Sequence, residues 1–214
     1  RGDYEIDIVY RRLLVNEFLD NYDICKPLLD AYRERAVCVV NSFHAKFVHK
    51  KMLFGLLTDE KNDHLFSTVE RQAIQTHIPW TRRMCERHTK YKDQDIDLVN
   101  YARSNRDRLV LKPNDEYGGK GIFIGWESDE SQWDEAIQTA LKGDYLLQER
   151  VATAREVFPY FSETGEVSFL EQLVDLDPLL FYGEVKGAFT RLSSTSLCNV
   201  TSGGGMVPTF VIDK

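Results

Sequence analysis

The stretch Leu109-Val110-Leu111-Lys112-Pro113-Asn114-Asp115-Glu116-Tyr117-Gly118-Gly119-Lys120-Gly121-Ile122 constrains this chain more than any other. It reads as a buried strand that delivers a lysine, a glycine-rich loop, and a second apolar strand that leaves. Glycine permits positive φ and close backbone approach, so successive N–H groups in such a loop can point at an anion. Lys112 and Lys120, at the two ends of the loop, add charge that complements phosphate. The competing reading is a glycine-rich hairpin with solvated lysines. A P-loop is excluded, because that motif needs Gly-x-x-x-x-Gly-Lys-Ser/Thr before a helix.

The segments around it predict an α+β protein. Strands are expected at Glu5–Tyr10, with Asp7 on one face, and at Ala36–Val40, where Cys38 reads as a small core residue. Helices are expected over Pro27–Arg35, Ala45–Leu57, Ser67–His77 and Ile96–Ser104. Ser67-Thr68-Val69-Glu70 fits a capping box at the start of the third. The charged stretch Arg82–Lys92 reads as an exposed connection. Beyond it, strands are expected at Arg108–Lys112, Ile122–Trp126 and Tyr145–Gln148. An amphipathic helix over Asp129–Leu141 gathers Trp133, Ile137, Ala140 and Leu141 on one side. Glu156–Phe161 and Glu166–Val174 flank a hairpin turn, and a third strand runs from Leu179 to Leu192. The chain thus divides into an N-terminal α/β part, 1–105, and a part with an antiparallel sheet, 106–214.

Composition narrows the partners. Twenty-seven Lys and Arg stand against 34 Asp and Glu, a net charge of −7, whereas nucleic-acid affinity rests on Lys and Arg neutralising phosphates. No apolar run approaches the ~20 residues that span a bilayer. Neither nucleic acid nor membrane is an expected partner. The sequence opens at Arg1, with neither an initiator Met nor an apolar signal stretch, which fits a fragment of a longer protein. The four cysteines lack Cys-x-x-Cys spacing and the five histidines show no zinc spacing, so free thiols in a reducing cytoplasm are expected.

Three further segments carry chemical groups. Tyr145-Leu146-Leu147-Gln148-Glu149-Arg150-Val151 is either a strand that presents main-chain groups to a base and a carboxylate to a ribose, or a core strand ending in surface charge. Arg191 follows Gly187-Ala188-Phe189-Thr190. Asn199 and Gly203-Gly204-Gly205 then form either a phosphate- or substrate-facing loop or a linker. Arg11 and Arg12 can fork onto a substrate carboxylate or serve as a solvated strand end.

The order of these pieces resembles the ATP-grasp superfamily. The resemblance rests on strand-Lys-Pro, a glycine loop, a strand, a helix, Leu-Leu-Gln-Glu-Arg-Val, and then Arg191, Asn199 and a glycine pair. The closer resemblance is to its circularly permuted branch, which includes eukaryotic-type glutathione synthetase and bacterial proteins related to glutathionylspermidine synthase. Val9-Tyr10-Arg11-Arg12 and the Asn41–Lys51 helix entry are similar to that branch. The resemblance implies two α+β subdomains that sandwich ATP. It also implies a ligase joining a carboxylate to an amine, both from small molecules or peptides, through an acyl phosphate. The alternative is a nucleotide-binding module without independent catalysis, part of a larger protein.

Residue by residue, the resemblance implies ATP contacts from Lys51 (or its neighbour Lys50), Lys112, Gly118, Gly119, Lys120, Gly121, Gln148, Glu149 and Val151. Arg191 and Lys112 would act at the transferred phosphate, and Arg11, Arg12, Asn199 and Gly204 on the substrate side. Glu116 and Asp7 would hold Mg²⁺, a hard cation that takes carboxylate oxygens. The family's Glu-x-Asn pair is replaced here by Asp7 and Val9, so either one ligand comes from elsewhere, such as Asp175 or Asp177, or metal binding is impaired. No amidase-type Cys/His arrangement is present.

Overall fold

Ile8-Val9-Tyr10 and Cys38-Val39-Val40 are runs rich in β-branched residues, and they pair side by side in parallel as β1 (Ile8–Tyr10) and β2 (Cys38–Val40). The computed structural model describes residues 4–162, 164–198 and 204–212. Within it the chain divides into two compact units, Arg1–Leu53 and Phe54–Lys214.

In the first unit, parallel strands need a crossover. The helices α1 (Val15–Asp20) and α2 (Tyr22–Arg33) supply it. Phe18 is buried and meets the Tyr22 and Phe43 rings edge-on at 6.1 and 5.0 Å. Cys38 is not a core residue. It pairs with Ile8 on an exposed face, whereas Val39, one residue on, points inward and is buried. The expected helix over Ala45–Leu57 is two: α3 (Ala45–His49) ends where Lys50 turns extended at ψ 127°, and α4 (Met52–Thr58) restarts and runs into the second unit.

In the second unit, α5 (Thr68–His77) carries the expected capping box, with Ser67 N–H donating to Glu70 Oε2 at 2.8 Å. The stretch read as an exposed connection instead holds β3 (Thr81–Arg83) and the hairpin β4 (His88–Tyr91) and β5 (Gln94–Asp97). Its Arg82 is only 2% exposed. All five guanidinium N–H groups find acceptors. Nε donates to Thr89 Oγ1 at 2.8 Å, Nη1 to the Thr58 and Thr81 carbonyls at 2.7 and 2.8 Å, and Nη2 to Glu60 Oε2 and the Lys90 carbonyl at 2.8 and 3.1 Å. Burial lowers the Arg82 pKa from the ordinary arginine value, against the pull of Glu60 and Asp59.

Next come α6 (Leu98–Ser104), β6 (Leu109–Pro113), β7 (Phe123–Ile124), α7 (Glu130–Lys142) and β8 (Tyr145–Glu149). Asp129 caps α7, accepting from Gln132 N–H at 2.8 Å. Trp133, Ala136, Ile137 and Ala140 recur at helical spacing and pack with Leu98, Ala102, Leu109, Leu111 and Leu147 into one buried cluster. Trp133 Nε1 donates to the Ala102 carbonyl at 2.9 Å, so its polar edge is satisfied inside. The sheet runs β3-β8-β6-β7, antiparallel throughout. Gly125, just past β7, packs so close to the turn that leads into β6 that a Cβ would lie 2.1 Å from the Arg106 carbonyl oxygen.

A second antiparallel sheet, in the order β12-β11-β10-β9, joins β9 (Arg155–Phe161), β10 (Val167–Phe181), β11 (Glu184–Ser193) and β12 (Gly205–Val207). The strand expected from Leu179 to Leu192 is in fact a hairpin. Tyr182 and Gly183, at φ 51° and 79°, turn the chain between β10 and β11. The sheet is staggered: β10 pairs with β9 over Val167–Leu173 and with β11 over Leu173–Phe181, so Leu173 alone has both neighbours. The observed mixture of helices and antiparallel sheets is α+β, as expected. Among the described residues no helix is long and apolar enough to cross a membrane.

Replacing Arg82 by Met leaves the Glu60 carboxylate without its cation and the Thr58, Thr81 and Lys90 carbonyls each short of a donor; urea denaturation is expected to show a loss of about 3–5 kcal/mol, the usual cost of breaking a buried ion pair from one side. Asp59 supplies an acid-range counterpart. Burial raises its pKa, but the Arg87 guanidinium at 2.7 Å and the Lys61 N–H outweigh it, so the net shift is downward. That stability is present above the unfolded value of about 3.9 and is lost as pH falls toward the lower folded value. Asp59→Asn is expected to flatten the acid side of a plot of urea midpoint against pH.

Candidate functional site

The β6–β8 register decides which side chains meet. Val110 pairs with Gln148 and Lys112 with Leu146, while Gln148 also pairs with Thr81 on β3. Because side chains alternate along a strand, Thr81, Gln148 and Lys112 share one face. Leu109, Leu111, Leu147 and Glu149 take the other face, where α6 and α7 pack.

On the first face a chain of hydrogen bonds fixes the lysine. Lys112 Nζ donates to Gln148 Oε1 at 2.8 Å, Gln148 Nε2 donates to Thr81 Oγ1 at 2.9 Å, and Thr81 Oγ1 donates to the Pro79 carbonyl at 2.9 Å. Gln148 is 5% exposed and Thr81 is fully buried, while Lys112 is half-buried. With its NH₂ turned to Thr81, the amide presents its oxygen to the ammonium, which can only donate. The arrangement therefore aims a positive charge from a dry, fully bonded base.

The glycine loop joins β6 to β7. Its root is fixed: Asn114 N–H donates to the Asp144 carbonyl at 2.9 Å, and Asn114 Nδ2 to Asp144 Oδ2 at 2.7 Å. Gly118, Gly119 and Gly121 have φ of 67°, 78° and 70°, which side-chain-bearing residues adopt at a cost. At Gly121 a Cβ would also sit 3.0 Å from the Tyr145 hydroxyl. Lys120 is exposed and its Nζ lies 3.6 Å from Glu116 Oε1. An ammonium on the sheet and a loop rich in positive-φ glycines fit a phosphate chain by their chemistry.

Other candidate residues lie elsewhere. Glu149 turns its carboxylate to the helix side of the sheet, accepting from Trp80 N–H at 3.0 Å and from the Tyr91 hydroxyl at 3.2 Å. Its side chain is thus committed there rather than on the Lys112 face. Val151 is exposed just past β8, and Arg150 stacks over the Trp126 ring at 4.2 Å. Arg191 pairs across the strands with Asp175, donating from Nε at 2.8 Å and again from Nη2, and stands 3.2 Å from Asp177 Oδ2. Burial, then the Asp175 charge, pushes the Asp177 carboxyl up, with Arg191 pulling it back. Gly204 precedes β12, and Asn199 lies outside the described residues.

The first unit holds Asp7, Arg11, Arg12 and Lys51. Asp7 sits just before β1 and accepts from Cys38 N–H through its carbonyl at 2.8 Å. The Arg11 guanidinium donates to the backbone carbonyls of Asn41 at 2.8 Å, Ser42 at 3.2 Å, and Leu13. It also lies over the Phe43 ring. Arg11 therefore braces its own unit, while Arg12 is exposed; Lys51 is half-buried at the start of α4. Among the described residues no three His, Cys, Asp or Glu side chains gather as a metal cluster.

Two groups escaped the sequence: Thr81, which anchors Gln148, and the Trp80–Tyr91 pair, which takes Glu149. Both belong to the stretch from Ile78 to Tyr91, where short strands leave no periodic pattern. If the Lys112–Gln148–Thr81 chain holds the face together, Gln148→Leu removes an acceptor from the ammonium and a donor from buried Thr81. Chemical denaturation is expected to show a loss of about 1–3 kcal/mol.

No family model matches the chain. The protein named "Putative glutamate--cysteine ligase 2-2" of Frankia casuarinae is 23% identical over 220 residues, which cover 96% of this chain and 23% of that protein. "Putative glutamate--cysteine ligase 2-3" of Frankia alni is 24% identical over 219 residues, again 96% of this chain and 23% of the relative. The chain spans about a quarter of the length of the curated relatives it matches.

Proposed function

We propose that this chain is the nucleotide-binding part of an ATP-dependent carboxylate–amine ligase, built as a circularly permuted ATP-grasp fold. The observation that carries the reading is the Lys112–Gln148–Thr81 chain on one face of the sheet, with the glycine loop rooted at its end. The names of both relatives, glutamate–cysteine ligases, support the ligase class. In this reading 1–105 carries the permuted strand and Lys51, and 106–214 carries the glycine loop and the antiparallel sheet.

ATP with Mg²⁺ would supply the activation of a carboxylate as an acyl phosphate, which an amine then attacks. Lys112 offers a fixed positive charge to the phosphates, and the Gly118–Gly121 backbone, with Lys120, offers N–H groups and a second charge. Gln148 holds the lysine in place, and Val151 is the main-chain candidate for a base, since the Glu149 and Arg150 N–H groups already donate to the Trp80 and Arg108 carbonyls at 3.0 and 2.8 Å. Arg191, held by Asp175 and Asp177, provides a guanidinium for the transferred phosphoryl group. Glu116 is the carboxylate that the loop offers to Mg²⁺, with Asp175 and Asp177 as the alternatives. Arg12 and Gly204 are the candidates for the carboxylate substrate; Arg11, spent on backbone carbonyls, is better suited to bracing.

A second reading, a nucleotide-binding module that does not catalyse alone, is favoured by the chain's match to only 23% of each relative. Calorimetry separates the two. Mg²⁺-dependent ATP binding is expected, with affinity at least tenfold weaker in Lys112→Ala, a change of about 1.4 kcal/mol. ADP release with a carboxylate and an amine supplied, glutamate and cysteine first, supports the ligase; ATP binding without turnover supports the module. Absence of ATP binding refutes both.

A further inference from the structure

On the opposite side of the same sheet from Lys112 lies a cleft of about 430 Å³. That is toward the lower end of the range for small-molecule sites, roughly 300–1,000 Å³. One wall is α5. Arg71, Ile74 and Gln75 follow at i, i+3 and i+4, so they lie along one side of the helix, and they line the cleft together with Ile78, the extended residue just past its end. No residue of α5 is buried. The side of this helix that carries Ile74 therefore borders a cavity instead of closing onto a core.

The facing wall is aromatic and already bonded at its polar tips. The Trp80 and Tyr91 rings meet edge-on at 5.2 Å. Trp80 Nε1 donates to the Lys90 carbonyl at 2.8 Å, and the Tyr91 hydroxyl donates to Glu149. Glu60 and Arg82, which also reach the cleft, are bound to one another. What these groups leave for a ligand is mainly apolar and π surface. The remaining charges of the lining carry both signs: Arg71, Lys90 and Lys92 against Asp63, Asp93 and Glu149, whose own hydrogen bonds come from neutral donors. A simple anion would face three carboxylates there and a simple cation three positive groups. A ligand that carries both charges matches the lining.

We propose that this cleft binds a small zwitterion with an apolar side chain, an amino acid or short peptide. Its carboxylate pairs with Arg71 and the lysines, its ammonium with Asp63 and Asp93, and its side chain packs against Ile74, Ile78 and Trp80. The site is separate from the Lys112 face and does not depend on the ligase reading.

The test uses the whole chain without nucleotide, with L-leucine and L-leucyl-L-leucine as probes, read by calorimetry and by tryptophan fluorescence. Saturable binding of at least one probe is expected. Binding should weaken at least tenfold when that probe's amine is acetylated or its carboxylate amidated, as well as in Ile74→Glu and Arg71→Ala. Both substitutions lie on a helix with no buried residue, and circular dichroism checks that each variant is folded. Lys112→Ala should bind the probe like the parent chain. The proposal is overturned if neither zwitterion binds saturably, if the blocked forms bind equally well, or if a folded Arg71→Ala or Ile74→Glu chain binds unchanged. Loss of probe binding in Lys112→Ala also overturns it, by placing the ligand on the other face. A failure to bind ATP bears only on the ligase reading.

Discussion

A guanidinium taken out of water must find an acceptor for each of its five N–H groups, and much of the second unit is arranged around that requirement at Arg82. The acceptors come from the end of α4, the turn after it, β3 itself and β4. These elements are short and come from separate places in the chain. The shared cation ties them together, and with them the Trp80–Tyr91 wall and the strand that carries Thr81. The Lys112 face and the cleft behind it both inherit their geometry from that one buried charge.

The central sheet then works as a partition. Leucines on one side meet α6 and α7 and supply the apolar cohesion. Alternation along the same strands sends Thr81, Gln148 and Lys112 to the other side. A cation placed there has a rigid backbone beneath it and a hydrogen-bonded amide beside it. Precise placement of this kind is what binding a charged ligand requires, and it is easier to achieve on a strand than on a loop.

The legible parts of the sequence were those with a strong local period or a strong turn chemistry. The α7 stripe of Trp133, Ile137 and Ala140, the Ser67–Glu70 box and the strand entering the glycine loop all read correctly, because each is fixed by neighbours in the chain. Arg82–Lys92 did not, since its charges look solvated until distant acceptors from Thr58 and Glu60 are supplied. The Cys38 reading failed by one residue of strand alternation, and the Leu179–Leu192 strand hid a turn because Tyr182, not only Gly183, takes positive φ. At the candidate site Lys112 and Gln148 were singled out from sequence as separate features. Their contact was not readable, because it depends on the register between β6 and β8 across more than thirty residues.

The stagger of the second sheet has a mechanical consequence. β10 would extend about 50 Å at ~3.3 Å per residue, yet only Leu173 is flanked by strands on both sides. Two-stranded ribbons are marginal in water by themselves. The buried residues Leu173, Leu192 and Ser193 make the crossing point the stiff part of the strand. The cost of local opening therefore grades downward from that pivot in both directions, and either arm can fray or bend without unzipping the other. Asp175 and Arg191 sit two residues from the pivot, beside the stiffest part of an otherwise compliant lever.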